Sequence, residues 1–197
     1  MSVATPPLTT ADLLAMPDDG IRRRIYKGQL IEEGPHNPES EALGMTVRNR
    51  FHSIAMSDIA TFLNLWRFGL PRPWGSVVCG EAAVQFDPTD DTNIGVDVAY
   101  VPPAVMIRQT DDNTIIVGVP TLVVEILSPS TTHQALNDRL DLFDEMNVPV
   151  VWIVDAERQT VTVHRHGQQP ALVNRTQDLI GDPELPGFRV PVARLFE

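Results

Sequence analysis

One carboxylate interrupts an apolar run: in the stretch TLVVEIL, Glu125 sits among Leu122, Val123, Val124, Ile126 and Leu127. Such a run is the pattern of a strand covered on both faces, where an unpaired ionised carboxylate costs several kcal/mol or takes up a proton. A metal ion, a basic partner or a place at the strand's open end would each compensate it. Ser128-Pro129-Ser130-Thr131 follows as a turn-and-cap sequence. That puts Glu125 near the C-terminal end of its strand, where open α/β sheets gather their sites. Asp97 is a second acid in an apolar run, Gly95-Val-Asp-Val-Ala-Tyr-Val101. On adjacent strands the two carboxylates could converge and hold a divalent cation, magnesium best, with waters completing its shell. Such an ion polarises a phosphoryl oxygen and acidifies a bound water. The plainer alternative for Asp97 is a structural hydrogen bond or an edge position.

Hydrophobic spacing predicts the elements that must position these acids. Thr9 to Met16 reads as a short capped helix ended by Pro17, followed by a turn at Asp18-Asp19-Gly20 and a strand from Arg24 to Glu32. From Glu39 to about Phe68, Leu43, Val47, Phe51, Ile54, Ile59, Phe62, Leu63 and Trp66 recur at helical spacing, with a restart allowed at Ser57-Asp58. Strands are expected at Ser76–Phe86, Val96–Val101 and Thr121–Leu127. A helix over Thr131–Met146 carries Leu136, Leu140, Phe143 and Met146 on one stripe, and Arg139 falls between Leu136 and Phe143 on the inward side. A strand at Val150–Asp155 and a half-exposed hairpin partner over Glu157–Arg165 follow, and the tail closes through Leu185–Phe188 and Val192–Phe196.

The 197 residues, 43% of them hydrophobic, suit one α/β domain, with residues 1–38 as an N-terminal helix-and-strand arm and 39–197 as the core. The opening Met-Ser-Val-Ala-Thr-Pro-Pro is unlike a secretion leader, and no apolar stretch is long enough to span a bilayer, so a cytoplasmic protein without a membrane partner is expected. The single cysteine, Cys79, excludes an internal disulfide framework and reads as a buried, inert thiol in a strand. A net charge of −11 argues against a surface that grips nucleic acid everywhere. Eight of the fifteen basic residues nevertheless lie between Arg22 and Arg72, which leaves room for a local patch beside the simpler reading of a solvated face. His164 and His166 alternate on one strand face without a third ligand at suitable spacing, Ser128 and Ser130 read as helix caps, and no phosphate-cradling glycine loop occurs.

The block VVEILSPST, followed by a helix and then VPVVWIVD, resembles the Uma-type restriction endonucleases, a family once described only as a domain of unknown function. The flanks TTADLLAMPDDG, IYKGQLIEE, GVDVAYV and LPGFRVPVARLF resemble further family segments in the same order, so nearly the whole chain is covered. The resemblance implies the PD-(D/E)XK nuclease fold, a restriction-endonuclease-like core with a mixed central β-sheet flanked by helices, here with a β-rich C-terminal hairpin. It also implies hydrolysis of DNA phosphodiester bonds with Mg2+ or Mn2+. Asp97 and Glu125 would bind the metal together with the main-chain carbonyl of Ile126, and a homodimer would allow both strands to be cut.

The sequence departs from that pattern in several places. Leu127 replaces the lysine expected two residues after Glu125, and Arg139 stands where many members carry a lysine on the following helix. Arginine neutralises phosphate but stays protonated, so proton uptake there would be lost. Lys27, the sole lysine, stands where an aspartate is usual, Arg24 replaces a glutamate, and Val96 replaces the proline before Asp97. Glu39 and Glu41 could supply a further acid, although the helix dipole accounts for first-turn carboxylates more simply. Two functions follow from these residues. One is a metal-dependent endonuclease with Asp97, Glu125 and Arg139 at its centre, weakened by the arginine. The other is an inactive relative kept for binding or assembly, in which a buried Arg139–Glu125 ion pair replaces the metal. An open cleft with both carboxylates on one ion favours the first, and an Arg139–Glu125 bridge the second.

Overall fold

The computed structural model describes residues 6–17, 21–33, 49–87, 89, 91–110, 114–128 and 131–197. Glu39, Glu41 and Ser130 lie outside them. Side-chain caps set the helix starts. Thr9 and Asp12 form a capping box at α1 (Thr10–Leu14). Asn49 caps α2 (Arg50–Phe68), its side chain accepting from the His52 N–H at 2.9 Å. This helix runs straight through Ser57-Asp58, where a restart had been allowed, because no proline or glycine interrupts it. After the short α3 (Pro103–Met106), Thr132 caps α4 (His133–Glu145) by accepting from the Ala135 N–H at 3.1 Å. The cap is therefore Thr132 rather than Ser128.

The strands are β1 (Arg22–Tyr26), β2 (Gln29–Glu33), β3 (Ser76–Gln85), β4 (Asn93–Val101), β5 (Ile116–Val117), β6 (Leu122–Ile126), β7 (Val150–Asp155), β8 (Thr160–Arg165), β9 (Ala171–Asn174), β10 (Asp178–Ile180) and β11 (Arg189–Pro191). Nine of them form one mixed sheet in the order β2-β1-β4-β6-β7-β8-β9, with β3 on β4 and β5 on β3. The expected single strand from Arg24 to Glu32 is in fact a hairpin, β1 and β2, turning at Lys27-Gly28 with φ of 49° and 74°. Both turn residues sit in the left-handed region, as a two-residue hairpin loop demands, and lysine is a poor signal for it. The β6–β7 pair is parallel and needs a crossover, which α4 supplies.

Side chains alternate along β6 and β7 between two cores. Leu122, Val124, Ile126, Val150, Trp152 and Val154 meet Ala55, Ile59 and Leu63 of α2, with Leu179, Leu185, Phe188 and Val190 from the C-terminal β10–β11 hairpin. Val123, Val151 and Ile153 instead meet Leu142 and Phe143 of α4. Helices α2 and α4 thus cover opposite faces of the sheet, which is why β6 reads as a continuous apolar run. The sequence expectation for Cys79 is corrected: the thiol is exposed, because Cys79 adjoins an irregularity in β3 that turns it out of the core. Among the described residues no helix is long and apolar enough to cross a membrane.

Asp58 on α2 carries a pH prediction. Burial pushes its carboxyl above the usual carboxylate range, with the Glu197 N–H and Arg194 opposing the shift and the Glu197 charge adding to it. A carboxyl raised in the folded state penalises folding above its folded pKa, and that penalty disappears below the unfolded value. Asp58→Asn keeps an acceptor for Glu197, so its melting temperature should exceed that of the wild type near pH 7. The gap should close towards about pH 3, as followed by circular dichroism.

Candidate active site

The sheet opens where the two carboxylates stand. Strand β3 lines one edge of β4 along its length, while the other edge is shared by β1, at Ile25↔Asn93, and β6, from Val98↔Val124 to Tyr100↔Leu122. Among the described residues, Ile94–Asp97 therefore face no strand on that edge. Glu125 lies one step beyond the last β6 pair and borders the same opening. Asp97 replaces the missing ladder partner with its side chain: Oδ2 accepts the Ile126 N–H at 2.8 Å. Paired backbone groups at such a divergence are a local requirement, since a buried orphan N–H is costly.

Two side chains enter the opening from opposite faces of the sheet. From α4, Arg139 Nη2 donates to the Gly95 carbonyl at 2.8 Å and, in a very short contact, to Glu125 Oε1. From α2, His52 brings Nε2 to 3.2 Å from Asp97 Oδ1, with the two side chains 2% and 1% exposed. Among the described residues neither ring nitrogen of His52 makes a hydrogen bond of acceptable geometry. The opening thus holds two acid–base pairs, one on each face.

Glu81 adds a third carboxylate nearby. Pairing passes from Cys79↔Val98 to Ala82↔Val96, so Gly80 and Glu81 together oppose Asp97 in a bulge, with φ of 86° and 60°. A Cβ on Gly95 would lie 3.1 Å from Glu81 Oε2, which places that carboxylate against the glycine whose carbonyl receives Arg139. Among the described residues no group of three His, Cys, Asp or Glu side chains is arranged to hold a metal. An ion bound here would also draw ligands from water, substrate or main-chain oxygen.

Of the residues singled out in the sequence, Asp97, Glu125, Ile126 and Arg139 are brought together, Ile126 through its N–H. Lys27 is elsewhere: its exposed Nζ donates to Glu145 Oε1 and to the Tyr26 hydroxyl, both at 2.8 Å. The Glu145 bond first, then Tyr26, holds its pKa well above the ordinary lysine range, which removes it as a base. Arg24 is buried in β1. His166 is exposed with Nδ1 2.6 Å from Asp144 Oδ1, and burial pushes the His164 pKa down.

His52 and Glu81 escaped the sequence reading. For His52 the available signal was its spacing: it precedes buried Ala55 and Ile59 by three and seven residues, so it occupies the inward stripe of α2. For Glu81 the signal was Gly80 inside a strand, a mark of a bulge.

Comparison with known proteins gives the same direction. The family described as "Uma2: Putative restriction endonuclease" matches residues 10–193. A crystal structure from Anabaena variabilis, described as a "putative nuclease belonging to DUF820", shares the fold with a TM-score of 0.72 at 18% identity, over 96% of this chain and 98% of that one. No curated protein matches.

Proposed function

The chain belongs to the Uma2 family, and on that footing we propose that it hydrolyses DNA phosphodiester bonds with a divalent ion, Mg2+ or Mn2+, held at the opening between β4 and β6. The observation that carries this reading is the position of Asp97 and Glu125, one step past the last rung of the β4–β6 ladder and bordering one gap. Asp97, Glu125 and the Ile126 carbonyl would hold the ion. When bound, the ion supplies Lewis acidity towards a phosphoryl oxygen and a more acidic water.

The chain's own residues do the rest. Arg139 sits beside Glu125 as a fixed cation, suited to offset charge on a phosphate but unable to take a proton. Turnover is accordingly slow. A cut through both strands requires two such sites, so a homodimer accompanies the proposal.

A second reading is favoured by one observation, the Arg139–Glu125 contact itself. An internal cation that satisfies Glu125 would let the fold serve binding or assembly without metal. Calorimetric titration of Mg2+ and Mn2+ separates the two. The nuclease reading predicts binding by the wild type that Asp97→Asn and Glu125→Gln each weaken, whereas the second reading predicts no heat of binding up to millimolar ion.

A further inference from the structure

We infer that His52 is a metal ligand, so that the ion in this opening is bound by an imidazole nitrogen and the Asp97 carboxylate, and the site prefers a transition-metal dication to Mg2+. This rests on the nuclease reading of the same opening and names what that reading leaves open, the class of metal.

The argument begins with cost. His52 is 2% exposed and among the described residues neither of its ring nitrogens has a hydrogen bond, an arrangement that buried polar groups rarely tolerate without a partner. Its position is imposed by the fold. Asn49 caps α2 through the His52 N–H, and Ala55, Ile59 and Leu63 seat the helix on the sheet, so the ring is held over the opening. Nε2 stands 3.2 Å from Asp97 Oδ1 without hydrogen-bond geometry. Two ligands bound at about 2.1 Å to one ion, at roughly a right angle, are about 3.0 Å apart, so the separation is that of neighbouring ligands.

Electrostatics points to the same side of the opening. The Arg139 guanidinium lies against Glu125, whereas Asp97 Oδ1 lies beside the His52 ring. Repulsion by the guanidinium would shift an ion held by Asp97, Glu125 and the Ile126 carbonyl towards Asp97, where the His52 nitrogen joins its ligands. Imidazole suits metals of the manganese-to-zinc series, whereas Mg2+ takes oxygen ligands and keeps its waters.

The test reads the ligand directly. Mn2+ is added to the full-length protein and its electron spin-echo signal is examined for modulation by a coordinated nitrogen. The expected result is nitrogen modulation in the wild type, kept in a His164→Gln/His166→Gln variant and lost in His52→Gln. Co2+ should bind the wild type at least about tenfold more tightly than it binds His52→Gln, with Mg2+ little changed. Should His52→Gln fail to fold, 15N-histidine labelling of a His36→Gln/His133→Gln/His164→Gln/His166→Gln variant, in which His52 is the sole histidine, identifies the coordinated ring through the altered modulation frequency. Bound Mn2+ without nitrogen modulation overturns the inference and leaves the metal-dependent nuclease standing. Absence of any binding at millimolar Mn2+ overturns both.

Discussion

Arg139→Ala should cost about 3–5 kcal/mol of stability, because it removes the guanidinium that faces the Glu125 carboxylate in a closed interior. Both side chains are about 6% exposed, and the guanidinium also satisfies the Gly95 carbonyl, so truncation leaves two acceptors without their donor. For a chain of this size such a loss lowers the melting temperature by roughly 6–20 °C. The pairing itself is a different quantity from the cost of breaking it. Taking two charges out of water offsets most of their attraction, so the double variant Arg139→Met/Glu125→Gln should recover much of the stability lost in Arg139→Ala. Urea denaturation of the single and double variants measures the coupling. A single-variant loss below about 0.5 kcal/mol, the range of ordinary surface positions, would mean that water reaches Glu125 and that the pair is not closed.

Arg139→Lys should speed metal-dependent cleavage, by roughly a hundredfold if the full general-base contribution is recovered. Arginine keeps its proton under all accessible conditions, whereas a buried lysine ammonium can surrender one. Helix α4 already aims position 139 at Glu125 and the Gly95 carbonyl, so the new side chain has both partners within its sector and the change is chemical more than geometric. The gain should appear in kcat and rise with pH. An unchanged rate in a variant that still binds metal would show that the attacking water loses its proton elsewhere.

Much of this arrangement was legible from residue order. Glu125 announced itself because a charge in a two-sided strand must be compensated, and Arg139 could be assigned to the inward stripe of its helix by counting turns from Leu136 and Phe143. The two then meet as that spacing required. The rest depended on pairing that no local pattern encodes. The opening exists because β1 and β6 share one edge of β4 without filling it, a consequence of sheet order rather than of any residue in β4. His52 lies on an apolar stripe where a core histidine is the ordinary reading, and only its distance to Asp97 distinguishes it. Cys79 read as buried because its neighbours are apolar, yet the Gly80-Glu81 bulge turns it out. The hairpin at Lys27-Gly28 was missed because its first turn residue is not one that favours a positive φ.

The central claim, that the opening between β4 and β6 cuts DNA with the help of a metal, is tested most directly by nicking of supercoiled plasmid. Wild type and Asp97→Asn are compared with Mg2+, with Mn2+ and with chelator. Asparagine keeps an acceptor for the Ile126 N–H while removing the charge, so the variant should melt close to the wild type. The account predicts relaxation of the plasmid by the wild type only when metal is present, and none by Asp97→Asn. No relaxation by the wild type with either ion, or equal relaxation by the variant, would contradict it and leave the Arg139–Glu125 pair as part of a fold kept for binding.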